Sequence, residues 1–593
     1  MRRLGRILIT LLAFTGLLTL SVLGLGIWAS LHFADKAESD LPKRAVLSLD
    51  LEAHFHETAS GDPLAAFSSE RSYTLRSVVE AIDHASSDPR VVGLYATMGH
   101  STLGLAAVQE IRDAVSRFRA AGKPALLFAE TIGETGAGTL DYYLASAFGQ
   151  IWLQPSGDLA MTGLMIESPF IRGTLDLLGI KAQFSARHEY KSAIDMFNER
   201  GFTGPNRENL GRLLDSWSEQ MASGISAVRA LPADKVKALM GQGPFLASEA
   251  LAAGLVDRVG YRDAAWKAIA GDGKDKALTA EELDVADYAA TLPEPKGPVV
   301  ALISGTGAIH RGESGHGFGS EADFGAKTIA EALRDAIDDD AVRAILFRVD
   351  SPGGSYTASD TIWREVQRAR EAGKPVVVSM GNVAASGGYF VGMGADRIVA
   401  QPGTITGSIG VFTGKVVLEE FWAKLGVNWD EMHRGDNATM WSSNRAFPPG
   451  AQARIDALLD HIYGDFTGKA SEGRRISVAA MDKLARGRVW TGADAKTSGL
   501  VDVLGGWREA LAAVRELTGL KPGQEVELVE FPRPKKPWEL VAEALAGSQT
   551  GMASGLRTLA RLEPVVKHLA PLAEPVSGAT LRMPPLDVTG TRP

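Results

Sequence analysis

The sequence predicts an α/β protein with largely parallel strands, built as two tandem copies of one unit behind a single N-terminal membrane helix. Three observations carry this expectation. Short β-branched runs alternate with amphipathic stretches, landmark motifs recur in order about 244 to 251 residues apart, and residues 7–33 contain no Asp, Glu, Lys or Arg.

The N-terminus comes first in the chain. Arg2, Arg3 and Arg6 precede the uncharged stretch 7–33, which as a helix is about 40 Å long at 1.5 Å per residue, enough to span a bilayer. A cleavable signal peptide has a shorter apolar region, roughly 7–15 residues, followed by a small-x-small cleavage site, and none follows here. Residues 1–35 therefore read as a cytoplasmic stub and retained anchor. Basic residues on the short leading side keep that end in the cytoplasm and place the rest on the outer, periplasmic face of a bacterial inner membrane.

The repeat organises the remainder of the chain. Ala121-Gly122-Lys123-Pro124 before an apolar run answers Ala372-Gly373-Lys374-Pro375 before another. Gln154-Pro155 answers Gln401-Pro402, Thr162-Gly163 answers Thr406-Gly407, Leu178-Gly179 answers Leu425-Gly426, and Gly254 to Asp257 answers Gly499 to Asp502. We expect a first repeat over 45–280, a linker over 281–297 where the chain is charged and then Pro-rich, and a second repeat over 298–520. In the second copy, 299–303, 344–349 and 376–379 read as strands, with 327–337 and 359–372 as helices between them. This alternation is the signature of an α/β unit. Beyond residue 532 a Pro-rich segment leads into a tail, expected to be poorly ordered.

Composition narrows the chemistry. A net charge of −9 without a long basic block gives no electrostatic footprint for nucleic acid. The absence of cysteine excludes disulfides, thiolate zinc sites and a cysteine nucleophile. Eleven scattered histidines without His-Glu-x-x-His spacing argue against a metal, and no cofactor is expected.

The most chemical segment is Ala384-Ala385-Ser386-Gly387-Gly388-Tyr389, downstream of Asp350-Ser351-Pro352-Gly353-Gly354. Glycines beside a serine let backbone N–H groups approach a reacting carbonyl, so Ser386 reads as a nucleophile with a second Gly-Gly turn available for an oxyanion hole. A plain helix-start turn is the competing reading. In the first copy the matching positions are Thr139-Leu140-Asp141, with Gly99-His100-Ser101 in place of the Gly-Gly loop, so the copies have specialised. A nucleophilic serine needs a base. Two remain open: His433, the nearest histidine in the second copy, and Lys191, in Tyr190-Lys191-Ser192-Ala193 after an apolar run, which by itself also reads as a solvated surface lysine. The second-copy counterpart of Lys191 falls near Asp436, an acid unsuited to the same role. Apolar runs such as 405–412 are candidates for subsites and for core.

Together, Tyr190 to Ala193, Ala384 to Tyr389, Asp350 to Gly354, Thr406-Gly407-Ser408-Ile409-Gly410, the repeat and the anchor closely resemble the long-form signal peptide peptidase A (protease IV) family, over roughly residues 1–530. The resemblance implies a ClpP/crotonase-like fold in each repeat and a membrane-anchored serine peptidase assembled as a homotetramer that degrades signal-peptide fragments. It implies Ser386 as nucleophile, Lys191 as general base and acid, Ser408 as the hydroxyl that orients the lysine, and Gly353 and Gly354 as oxyanion-hole backbone. Peptidase chemistry on other membrane or exported proteins is the main alternative. A crotonase-like acyl-CoA enzyme and a non-catalytic scaffold are the others.

Overall fold

The computed structural model describes residues 41–58, 72–134, 136–275, 279–293, 295–315, 323–533 and 580–582. The expected anchor and most of the C-terminal tail lie outside the described residues. Among the described residues no helix is long and apolar enough to cross a membrane.

Two sheets share one strand order. The first runs Arg258–Val259, Gln150–Leu153, Ala125–Ala129, Val91–Met98, Ala45–Asp50, Glu281–Asp284, and every adjacent pair is parallel. The second contains Val503–Leu504, Arg397–Ala400, Val376–Ala385, Val342–Ser351, Val299–Thr306 and Glu527–Phe531 in the same parallel sequence of neighbours. Helices cover these sheets, so the strands are buried on both faces and their sequences run apolar without alternation, as in Val376-Val377-Val378. The helix Ala326–Asp338 supplies one such cover, burying Ala326, Ile329, Ala330, Leu333 and Ala336 along one stripe.

The landmarks recur because each performs the same structural task twice. Gly122 and Gly373 sit at φ 84 and φ 77 just past helix ends, where the left-handed turn suits glycine. The next lysine reaches back into the preceding helix end: Lys123 Nζ donates to Ala85 O and Asp88 O, and Lys374 Nζ to Ala336 O and Asp339 O. Tyr142 Oη donates to Leu255 O at 2.8 Å and Tyr389 Oη to Leu500 O at 3.0 Å. Asp257 accepts from Ile151 N and pairs with Arg229, while Asp502 accepts from Ile398 N and pairs with Arg474.

Three expectations need correction. The stretch expected to begin the linker at 281 instead opens with the strand Glu281–Asp284 and helix Val285–Ala290, which close the edge of the first sheet. Its charge reflects an exposed sheet edge, where Glu281 and Glu282 face solvent. The second sheet likewise takes its edge from Glu527–Phe531, past the expected limit at 520. In the tail expected to be poorly ordered, Thr580–Arg582 forms a strand.

A third sheet joins the copies. Its order is Phe324–Gly325, Ile309–His310, Gly353–Ser355, Thr580–Arg582, Val411–Val417, Lys181–Arg187, the last strand coming from the first repeat. Beneath it, the copies lock through buried charge. Arg348, fully buried, donates to Glu57 at 2.8 and 2.9 Å and to Glu110 at 2.8 Å, and Glu110 also accepts from Trp507 N. Burial works against both charges, but Glu110 and Glu57 keep the guanidinium pKa raised and the pair intact. Because removing one member strands the others unpaired, Arg348→Met should destabilise the fold by about 3–5 kcal/mol. Thermal or urea unfolding followed by circular dichroism measures this, and an unchanged midpoint contradicts the lock.

Candidate active site

Ser386 stands where the strand Val376–Ala385 turns into the helix Gly387–Gly392. Its backbone has φ 57 and ψ −114, a conformation costly for a residue with a Cβ. The turn is held because Ser386 N donates to Gly407 O at 2.7 Å and Ser386 O accepts from Phe390 N at 2.9 Å. The small residues around it answer to close packing. A Cβ on Gly388 would lie 2.5 Å from Ser351 O, and one on Gly387 would lie 2.7 Å from Ser359 Oγ and 3.0 Å from Gly354 N. The Gly353-Gly354 pair therefore lies directly against the residue after the serine. Gly353, at φ 102, donates its N–H to Ser351 Oγ at 3.1 Å, and a Cβ on Gly354 would meet Ile309 O at 1.9 Å.

Lys191 reaches this turn from the other repeat. Its Nζ lies 2.7 Å from Ser386 Oγ, 3.0 Å from Ser408 Oγ and 3.0 Å from Ser408 O. The side chain is buried, and burial alone holds its pKa well below 10.5, with no charged group contributing. The three contacts suit a neutral amine: two N–H groups point to Ser408, and the lone pair faces the Ser386 hydroxyl. Ser408 is fixed at φ 51, with its N–H donating to Arg488 O at 2.7 Å.

The structure brings Lys191, Ser386 and Ser408 together, with Gly353 and Gly354 alongside. It does not bring His433, which is exposed and pairs with Glu431 at 3.3 Å, or Asp436, also exposed. Residues Ile405, Ile409, Val411 and Phe412 are buried in the fold. Thr139, the first-copy counterpart of Ser386, accepts from Gly163 N at 2.9 Å, and Asp141 beside it binds His100 and Ser101 N. Among the described residues no group of acidic or histidine side chains is arranged to hold a metal.

Sequence reasoning missed the loop 485–488. Arg486 O accepts from Tyr190 N, the Arg486 guanidinium pairs with Glu189 at 2.9 Å, and Gly487 N donates to Ile409 O at 2.8 Å. The loop thus grips the chain on both sides of Lys191 and Ser408. A single glycine between two arginines carries no signal for this role.

Comparison with known proteins now bears on the assembly. The model of Peptidase family S49 matches residues 117–275 and again 368–521, once in each repeat. This chain belongs to Peptidase family S49. It is 35% identical to Protease 4 of Haemophilus influenzae over 76% of this chain and 74% of that one. Protease 4 of Salmonella typhi is 32% identical over 85% of this chain and 82% of its own, and the chloroplastic serine protease SPPA of Arabidopsis thaliana is 31% identical over 80% and 70%. A solved ClpP1 of Listeria monocytogenes aligns with 35% of this chain and 94% of its own at 14% identity and a TM-score of 0.23. As an S49 member, the chain is a serine peptidase.

Gly487 provides a test of how tightly the amine must be held. A Cβ there would stand 2.4 Å from Lys191 N and 2.6 Å from its Cα, so Gly487→Ala must push the lysine backbone away. We expect kcat to fall by about 10²-fold, the scale set by an ångström of misplacement, with an unchanged circular dichroism spectrum. Full activity would show that the lysine tolerates the shift.

Proposed function

We propose that this S49 peptidase hydrolyses peptide bonds through a dyad of Ser386 and Lys191, and that its substrates are signal-peptide fragments at the outer face of a bacterial inner membrane. The single observation that carries the chemistry is the 2.7 Å contact between a buried, charge-depleted amine and a serine hydroxyl.

The steps follow from that contact. Neutral Lys191 takes the Ser386 proton as Oγ attacks the scissile carbonyl, forming a tetrahedral adduct whose oxyanion is held by backbone N–H groups of the Gly353-Gly354 segment. The lysine ammonium then protonates the leaving amine, and the C–N bond breaks to leave an acyl-enzyme. Lys191, neutral again, deprotonates a water that attacks the ester, and returning that proton to Ser386 frees the acid product. Ser408 keeps the amine aimed throughout by accepting its other two N–H bonds. Both repeats contribute, so neither alone carries the dyad.

The substrate class is supported by the relatives, among them a putative signal peptide peptidase SppA of Enterococcus faecium, 29% identical over 35% of this chain. The apolar stretch 7–33, which lies outside the described residues, supports the single-pass anchor. We also assign the two repeats to the ClpP/crotonase-like class, supported by their common parallel strand order, and place four copies in the working assembly.

Ser386→Ala and Lys191→Ala should each lower kcat/KM on a leucine-rich signal peptide by about 10³-fold or more while the fold is retained. Equal hydrolysis of a polar peptide of the same length by wild type would remove the signal-peptide assignment. Full activity in either variant would remove the dyad. The wild-type pH profile should rise through one ionisation lying well below 10.5, because only the neutral amine accepts the serine proton.

Burial of that amine has a second consequence. In the unfolded chain Lys191 regains a pKa near 10.5 and binds a proton that the folded chain excludes. The unfolded state thus binds more protons between the depressed folded value and about 10.5, and this group's contribution to stability grows as pH rises through that window. Lys191→Met binds no proton in either state. The melting temperature of wild type relative to Lys191→Met should therefore increase from pH 7 to pH 10, and a constant difference would contradict a neutral buried lysine.

A further inference from the structure

Strand Thr580–Arg582, far along the chain from either repeat, lies inside the sheet that joins the copies. It runs antiparallel to Gly353–Ser355, with Thr580 opposite Ser355, Leu581 opposite Gly354 and Arg582 opposite Gly353. On its other side Thr580 pairs with Phe412. Without it, the edges of Gly353–Ser355 and Val411–Val417 would face each other across a gap one strand wide, about 9–10 Å at ordinary inter-strand spacing. Both edges belong to the site: one carries the glycine pair against Gly387, and the other begins three residues after Ser408.

Unpaired strand edges recruit extended peptide by main-chain hydrogen bonding. A substrate reaching Ser386 between these edges must make the backbone bonds that Thr580–Arg582 makes. Its direction also fits. Read from N- to C-terminus, the strand passes from Ser355 toward Gly353, the end that abuts the nucleophile turn.

We propose that Thr580–Arg582 occupies the peptide-binding slot as a tethered competitor, which substrate displaces before cleavage. That the slot receives substrate rests on the Ser386–Lys191 reading; that the segment fills it rests on strand pairing alone. A tether presents its segment at an effective concentration on the order of millimolar, so even a weak three-residue pairing raises the apparent KM several-fold and leaves kcat unchanged.

Two measurements test this separately. In Ser386→Ala protein, which removes catalysis from the question, hydrogen exchange of amides 353–355 is compared between the full chain, a chain ending at residue 579, and full-length Leu581→Pro. Proline is excluded from an interior strand, so this last variant tests the pairing without shortening the chain. We expect about tenfold faster exchange of these amides in both variants, and equal exchange in all three overturns the occupancy. In the Ser386 background, KM for a short peptide should fall about 2- to 10-fold in both variants with kcat constant, and a synthetic peptide of residues 576–583 should raise it again. Altered exchange with unchanged KM would overturn competition. If neither the full chain nor the variants cleave peptide, the dyad reading fails while the exchange result still judges the occupancy.

Discussion

The arrangement rests on an antiparallel ladder between the repeats, in which Lys181 to Arg187 of the first pair residue by residue with Val417 to Val411 of the second. The pair Arg187–Val411 ends it, and the chains then run on past each other toward the site. Four residues beyond Arg187 is Lys191, and three before Val411 is Ser408, so register alone delivers amine and hydroxyl to one place. A one-residue slip would turn each side chain to the opposite face. Register is enforced by contact as well as pairing: a Cβ on Gly414 would lie 2.4 Å from Gln183 O, so the two backbones meet where only glycine fits.

Burying an amine without a counter-charge is unfavourable, and the rest of the interface offsets it with neutral, satisfied bonds. Asn209 exchanges two hydrogen bonds with the Val489 backbone at 2.9 and 3.0 Å, Trp217 Nε1 donates to Gly403 O, and Gln109 accepts from Gly403 N. Charge is confined to the layer below, where Arg348 meets Glu57 and Glu110. Asp350 lies between that layer and the site. Burial, then the neighbouring Glu57, pushes its pKa up to about 7 against the pull of Arg348. Its carboxyl accepts the N–H groups of Asn382 and Val383, where the pairing of the two strands shifts register and frees Ser351 to begin the glycine loop.

What the sequence disclosed divides along this line. Elements held by local rules were legible: the lysine that caps a helix end, the tyrosine and aspartate that pin each copy, and the serine whose glycine neighbours advertise close backbone approach. Lys191 was legible through its motif and not through its own surroundings, which resemble those of a solvated lysine. Its burial is made by Ser408, Ser386 and Gly487, all about 200 to 300 positions away in sequence. The same distance hid the loop 485–488. The edge strand Glu281–Asp284 was hidden for the opposite reason, because charge on a sheet edge and charge in a linker look alike.

Duplication explains why the dyad is divided. In the first copy the nucleophile position has become structural: Thr139 Oγ1 accepts a backbone N–H, and the neighbouring Asp141, buried, is satisfied by His100 and Ser101. Glycines that would admit a substrate carbonyl are absent there. In the second copy the lysine position lies in the exposed segment near Asp436. A base divided from its nucleophile in this way has a chemical consequence. The only cause lowering the Lys191 pKa is desolvation, and the groups that desolvate it belong to the other repeat. With the repeats apart, Lys191 is an ordinary solvated ammonium with no lone pair to take a proton. Basicity is therefore acquired only on docking, and a chain still folding, with its own unfolded segments within reach, holds neither half of an active site.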